Sequence, residues 1–169
     1  WHLHAQPRED RWHKLPTPNT GGIAIVAAAA VVYLLSGTAV HSALALPALG
    51  IAALGVVDDR VRLSPIFKLA GQAVAVIAVI ASGIVFRPTG VEALDVAITF
   101  LWIVGITNAF NLIDNMDGLC AGVTVITAGF RFLTSVQTGD TTAALHFAII
   151  AGVFSGFLVF NYRPARIFM

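Results

Sequence analysis

Apolar residues in this chain fall into six runs separated by short polar or glycine- and proline-bearing stretches, at about residues 22–35, 42–57, 69–86, 94–113, 119–134 and 143–160. Most approach the ~20 residues that carry a helix across a bilayer core. The first two are short and need flanking residues to extend them. A backbone in contact with lipid must satisfy its own hydrogen bonds, so every run predicts a helix. The expected fold is all-α: a polytopic transmembrane helical bundle of about six spans, forming one integral-membrane domain over residues 1–169. Small residues suit close helix packing in lipid; they include the alanines at 27–30, Gly50 and Gly55, and Gly152 and Gly156.

Composition agrees with lipid as the main solvent. The chain is 57% hydrophobic and 11% charged, whereas a soluble domain keeps roughly a quarter of its residues charged. A net charge of +1 hides an uneven distribution. Six crossings put residues 1–21, the 58–68 loop, the 111–118 turn and the tail from 161 on one side. That side carries Arg8, Arg11, Lys14, Arg60, Arg62, Lys68, Arg163 and Arg166. The other side has Arg87, with Arg131 just inside the helix leading to it and able to snorkel. The positive-inside rule makes the first side cytoplasmic. The same alternation brings Asp58, Asp59, Asn108, Asn111, Asp114 and Asp117 to cytoplasmic helix ends, which the charge count did not require. Cys120 is the single cysteine, so no internal disulfide forms. The chain starts at Trp1 with no visible signal peptide and is expected to lack material at both ends.

Four polar clusters carry candidate chemistry. In Gly55-Val56-Val57-Asp58-Asp59-Arg60, two adjacent carboxylates occupy a helix C-terminus, where the macrodipole disfavours anions. A cation or a shared proton must offset them, and Arg60, Arg62 or Lys68 could do so as a purely structural pair. In the stretch 107–118, Asn108, Asn111 and Asp114 recur every three residues and Asn115 lies four beyond Asn111. If the helix continues that far, they form one polar stripe. Such groups facing a membrane interior usually line a functional cavity. Asp117 has a structural alternative as N-cap of the next helix. The stretch from His13 through Pro16-Thr17-Pro18-Asn19 to Gly21-Gly22 predicts a stiff entry to the first span. The fourth cluster runs from Phe160-Asn161 to Met169 and, read alone, is a basic stop with Pro164 ending the helix. Gln72 and His146 are single polar residues suited to bonding neighbouring helices, and His2, His4 and His41 lack metal-ligand spacing.

In this order the clusters resemble the polyprenyl-phosphate N-acetylhexosamine-1-phosphate transferases. The matching residues are His13, Pro16-Thr17-Pro18 and Gly21-Gly22; Asp58-Asp59, Leu63-Ser64-Pro65, Lys68 and Gln72; Thr107-Asn108-Ala109, Asn111-Leu112, Asp114 and Asp117-Gly118-Leu119; and Asn161, Pro164-Ala165 and Ile167-Phe168-Met169. The resemblance covers nearly the whole chain. Asn115 stands where the family most familiarly has glycine, and Asn19 where an arginine is common. The Pro-Thr-Pro form is closer to the N-acetylglucosamine branch than to the phospho-N-acetylmuramoyl-pentapeptide branch.

The resemblance implies transfer of a sugar-1-phosphate from a UDP-N-acetylhexosamine to polyprenyl (undecaprenyl) phosphate, with release of UMP, in cell-wall, peptidoglycan or lipopolysaccharide synthesis. It implies a multi-pass protein of the inner membrane with a cytoplasmic site, a homodimer as an admissible assembly, and no nucleic-acid partner. Two anions must meet, which calls for a divalent ion, Mg²⁺ or alternatively Mn²⁺. By resemblance Asn111 joins an aspartate expected just beyond Met169 around that ion, and Asp114 supports the metal or ribose region. Asn108 belongs to the substrate-binding set, Lys68 contacts phosphate, and Asp117 and Phe168 hold the uracil. Asp58 and Asp59 activate or position the lipid phosphate. These groups are expected to meet in one pocket, and the fragment alone to be inactive. The competing classes are a membrane transporter, whose ion site would lie nearer mid-bilayer, and a catalytically dead scaffold.

Overall fold

A computed structural model describes residues 4–5, 17–18, 20–37 and 42–168. His13, Pro16 and Asn19, the cations Arg8, Arg11 and Lys14, the histidines His2 and His41, and Met169 lie outside the described residues. Among the described residues six helices form: α1 (Gly21–Ser36), α2 (Ser42–Val61), α3 (Pro65–Ala81), α4 (Glu92–Ile113), α5 (Leu119–Gln137) and α6 (Thr141–Asn161). A two-residue antiparallel pairing, β1 (His4–Ala5) with β2 (Thr17–Pro18), is the only strand structure among the described residues. The all-helical expectation holds.

By length and composition α4, α5 and α6 can each cross a membrane, while α1 and α3 are apolar but shorter. At 1.5 Å per residue, α4 extends about 33 Å, enough for a ~30 Å hydrocarbon core. Large apolar side chains face outward, Leu34 and Leu35 being 82% and 83% exposed. That arrangement suits lipid as the surrounding medium. The chain is a helical membrane protein.

Helix ends depart from the apolar runs for local reasons. α2 continues past the two carboxylates to Val61. It stops because Arg62 turns left-handed (φ 53°), with its N–H donating to Asp58 O at 2.8 Å. α3 begins four residues before its apolar run, with Ser64 extended and Pro65 in the first turn. There the missing proline donor costs nothing. Its end at Ala81 leaves residues 84–86 in the following loop. At the start of α6 the Asp140 side chain accepts from Ala143 N.

The chain divides into two compact units, Ala39–Leu112 and the pair of segments Trp1–Thr38 with Ile113–Met169. In the first, α2 packs on α3. The approach is close at Gly71, where a Cβ would sit 2.6 Å from a Leu54 methyl. In the second, α5 packs along α6 and α1 against α6. Their buried positions among the described residues are mostly small or aliphatic: Cys120, Ala121, Ala128, Ala144 and Ile149, with Phe157 the one large ring. His146 bonds Thr142 O on its own helix at 2.7 Å and meets the Tyr33 ring of α1. Arg131 lies over the Phe147 ring, 5.2 Å from its centroid. The expected role of the other glycines needs correction. A Cβ at Gly50, Gly55, Gly152 or Gly156 meets nothing within 4 Å, so close packing among the described residues falls at Gly21 and Gly71 instead.

Candidate active site

In the α2–α4 unit the paired carboxylates divide their tasks. Asp58 Oδ1 accepts from Leu63 N at 2.9 Å, and Oδ2 forms an ion pair with Lys68 Nζ from the first turn of α3. Asp58 therefore caps the end of α2 twice, through its backbone and its side chain, while Lys68 neutralises its charge. Of the three cations proposed to offset the pair, Lys68 does so. Arg60 instead reaches the carbonyl of Val56 at 3.4 Å. Asp59 makes no hydrogen bond or ion pair among the described residues and is exposed. It is the carboxylate that the fold leaves available.

Five residues before the end of α4, Asn108 donates through Nδ2 to Gln72 Oε1 (2.7 Å) and to Val104 O (2.8 Å). Gln72 is thus an interhelical bond, as its position in an apolar run suggested. Asn111 is exposed on the last turn of α4. The polar stripe is shorter than expected, because α4 ends at Ile113 and Asp114 and Asn115 belong to the turn that follows. That turn is closed by Met116 N on Ile113 O and by Gly118 at φ 71°, a conformation that strongly favours glycine.

The second unit is tied together by its own polar groups. Asp117 does not cap α5; Gly118 is the N-cap residue and contributes no side chain. Asp117 Oδ2 instead accepts from Ala165 N at 3.1 Å. Asn161, 3% exposed, accepts from Gly118 N through Oδ1 (3.0 Å) and donates from Nδ2 to Ile167 O (2.9 Å). Phe168 O accepts from Gly21 N at 2.8 Å. The 117–118 turn, the segment after α6 and the start of α1 form one hydrogen-bonded knot. Asn161 is a site-building residue that sequence reasoning quoted but gave no role. Its signal was an amide at the end of an apolar helix, just before a proline-bearing basic stretch.

Gly21 shows how tight this knot is. A Cβ there would lie 2.4 Å from Phe168 O and 2.5 Å from the Phe157 ring, both closer than any real contact. Gly21→Ala should displace the 165–168 segment. The expected result in the full-length protein is a loss of thermal stability of about 1–3 kcal/mol, read by unfolding in detergent. An unchanged melting temperature would show that Phe168 does not rest on α1.

Among the described residues no three His, Cys, Asp or Glu side chains gather to hold a metal ion. A groove of about 710 Å³ along α1 and α6 is apolar, lined by Ala24, Ala28, Gly152, Gly156 and Phe160 with Arg166 beside them. It contains none of the site residues expected from sequence.

Long apolar helices with outward-facing aliphatic side chains define the chain as a helical membrane protein. The comparisons make the class specific. The chain belongs to glycosyl transferase family 4, whose model matches residues 41–169. It is 34% identical, over 97% of its length and 49% of the relative's, to a probable undecaprenyl-phosphate N-acetylglucosaminyl 1-phosphate transferase of Bacillus subtilis. It is 33% identical, over 98% of its length and 48% of the relative's, to a decaprenyl-phosphate N-acetylglucosaminephosphotransferase of Mycolicibacterium smegmatis. A phospho-N-acetylmuramoyl-pentapeptide-transferase of Heliobacterium modesticaldum is 36% identical over 92% of this chain and 56% of its own. The chain spans about half the length of these curated relatives.

Proposed function

We propose that the full-length protein transfers an N-acetylhexosamine-1-phosphate from a UDP-sugar to a polyprenyl phosphate and releases UMP, with N-acetylglucosamine-1-phosphate the favoured group. The observation that carries this reading is the family match together with the division of labour at the end of α2. There one carboxylate is neutralised by Lys68 and its neighbour is left available. The relatives include both N-acetylglucosamine and muramoyl-pentapeptide transferases, so the choice of sugar rests on Pro16-Thr17-Pro18. The excess of Lys and Arg at the polar helix ends favours a cytoplasmic site in the plasma membrane.

In the reaction an oxygen of the lipid phosphate bonds to the β-phosphorus of the UDP-sugar. The bond from that phosphorus to the bridging oxygen breaks, and UMP leaves with the bridging oxygen. Asp59 would orient the lipid phosphate and hold the proton that this phosphate gives up. Lys68, as a compact cation, would meet a phosphate by sharing its charge with Asp58. Asp117, fixed by the Ala165 amide, and the Phe168 ring would hold the uracil. The side-chain oxygen of Asn111 is of the donor kind that Mg²⁺ takes beside carboxylates, substrate phosphates and waters. That donor chemistry fits, with Mn²⁺ as the alternative ion. When bound, the ion would neutralise the diphosphate.

The test uses the full-length protein in lipid nanodiscs, with undecaprenyl phosphate and either UDP-N-acetylglucosamine or UDP-N-acetylmuramoyl-pentapeptide. UMP should form with the first donor and not the second, and Asp117→Ala should abolish it while membrane insertion is unchanged. Absence of UMP with either donor would overturn the transferase reading. UMP from the pentapeptide donor alone would move the protein to the other branch.

A further inference from the structure

We propose that Gln72 is a positioning residue for the transfer reaction, holding Asn108 so that its amide offers substrate only a carbonyl oxygen. The inference rests on the transferase reading, in which Asn108 belongs to the substrate-binding set.

A carboxamide is nearly symmetric in shape, so its two ends can exchange unless a neighbour tells them apart. Here a backbone group does so. Val104 O can only accept, and it lies 2.8 Å from Asn108 Nδ2. The nitrogen end of Asn108 is therefore fixed on that side. Its second N–H then needs an acceptor, and Gln72 Oε1 supplies one at 2.7 Å. With the Asn108 end settled as donor, Gln72 must present oxygen, so one peptide carbonyl orients both amides.

The consequence for chemistry is specific. Both N–H groups of Asn108 are used, and Oδ1 is the only remaining functional atom. Asn108 can receive a hydroxyl, an N–H or a cation, but it cannot donate to a phosphate oxygen. Asn108 is exposed, whereas Gln72 is 8% exposed and sits on α3. Gln72 therefore acts through Asn108 and not on substrate directly. Without the Gln72 oxygen, the second N–H is released and the side chain keeps one tether instead of two. The carbonyl then loses its fixed aim.

The experiment measures UMP release by the full-length protein in nanodiscs for wild type, Gln72→Met, Gln72→Leu, Asn108→Leu and the Gln72→Met/Asn108→Leu double variant. Methionine matches glutamine in shape and lacks the strong acceptor. The expected result is a loss of about tenfold in kcat/KM for Gln72→Met, the weight of one hydrogen bond to a neutral group. The loss should fall mainly on KM, as for a contact made equally in ground and transition states. The double variant should be no worse than Asn108→Leu alone. Rates are taken per folded protein, so Gln72→Met still decides the matter if Gln72→Leu folds poorly. Wild-type kinetics in Gln72→Met would overturn the proposal, as would losses that add in full in the double variant, because a purely structural glutamine acts independently of Asn108. An inactive wild type would instead remove the transferase reading, and this inference with it.

Discussion

Asp59→Asn in the full-length protein should lower UMP release by about 10²–10⁴-fold, the usual weight of a positioned acid–base group, while its melting temperature stays at the wild-type value. Asp59 has no partner among the described residues and is exposed, so the amide leaves no group unsatisfied. Asp58→Asn separates the two carboxylates. Asparagine can still accept from Leu63 N through Oδ1, but the ion pair with Lys68 is gone. A part-exposed pair of this kind contributes about 0–1 kcal/mol to stability. A large fall in rate with little change in melting would therefore be a functional loss. Lys68→Ala provides the counterpart: Asp58 and Asp59 then face each other without their cation. Normal turnover in Asp59→Asn would remove the carboxylate from the mechanism, and a variant that failed to fold would reassign it to structure.

The other large effect is expected at Asn161. Its amide serves two backbone groups at once, taking the Gly118 N–H and giving to the Ile167 carbonyl. Asn161→Ala leaves both without partners in a site that is 3% exposed. Each stranded group costs about 1–3 kcal/mol, so the combined loss should be about 2–6 kcal/mol, a severe effect for one substitution. Asn161→Asp sorts the two bonds. It keeps an acceptor for Gly118 but sets a carboxylate oxygen against the Ile167 carbonyl. If the knot positions Asp117 and Phe168 for the uracil, Asn161→Asp should raise KM for the UDP-sugar even at temperatures where the protein remains folded. Thermal melts and KM measured on the same preparations check both statements. Wild-type values for Asn161→Ala would mean that the 118 and 167 amide groups find other partners.

Six helices were legible because lipid imposes a simple demand: apolar runs must close their own hydrogen bonds, and the runs are long. The ends were less legible. α2 passes Asp58 and Asp59 because its stop lies in the left-handed Arg62 and the Asp58 cap, neither of which hydropathy records. α3 starts at Pro65 because proline costs nothing in a first turn, although the apolar run begins later. The candidate residues were visible as types in a spacing, yet their partners were not. Lys68 meets Asp58 within ten residues, a distance that sequence can suggest. Asn161 meets Gly118 from 43 residues away and Ala165 meets Asp117 from 48, and no local pattern encodes such bonds. Small residues misled for a related reason: a glycine in an apolar run signals room, but only the packed neighbours show whether anything occupies it.

Asp95 passed unnoticed in sequence as one acid near a helix start, and it is 0% exposed. Its Oδ1 takes both the N–H and the hydroxyl of Thr89, and one turn on, Thr99 Oγ1 accepts from Phe86 N. The 86–91 hairpin-like bend is thereby riveted to the top of α4, and any axial slide or rotation of that helix must carry the bend along. A spin label or fluorophore on Val91, which is 53% exposed, would then act as a remote gauge. It would report, from one end of α4, any displacement of the whole rod.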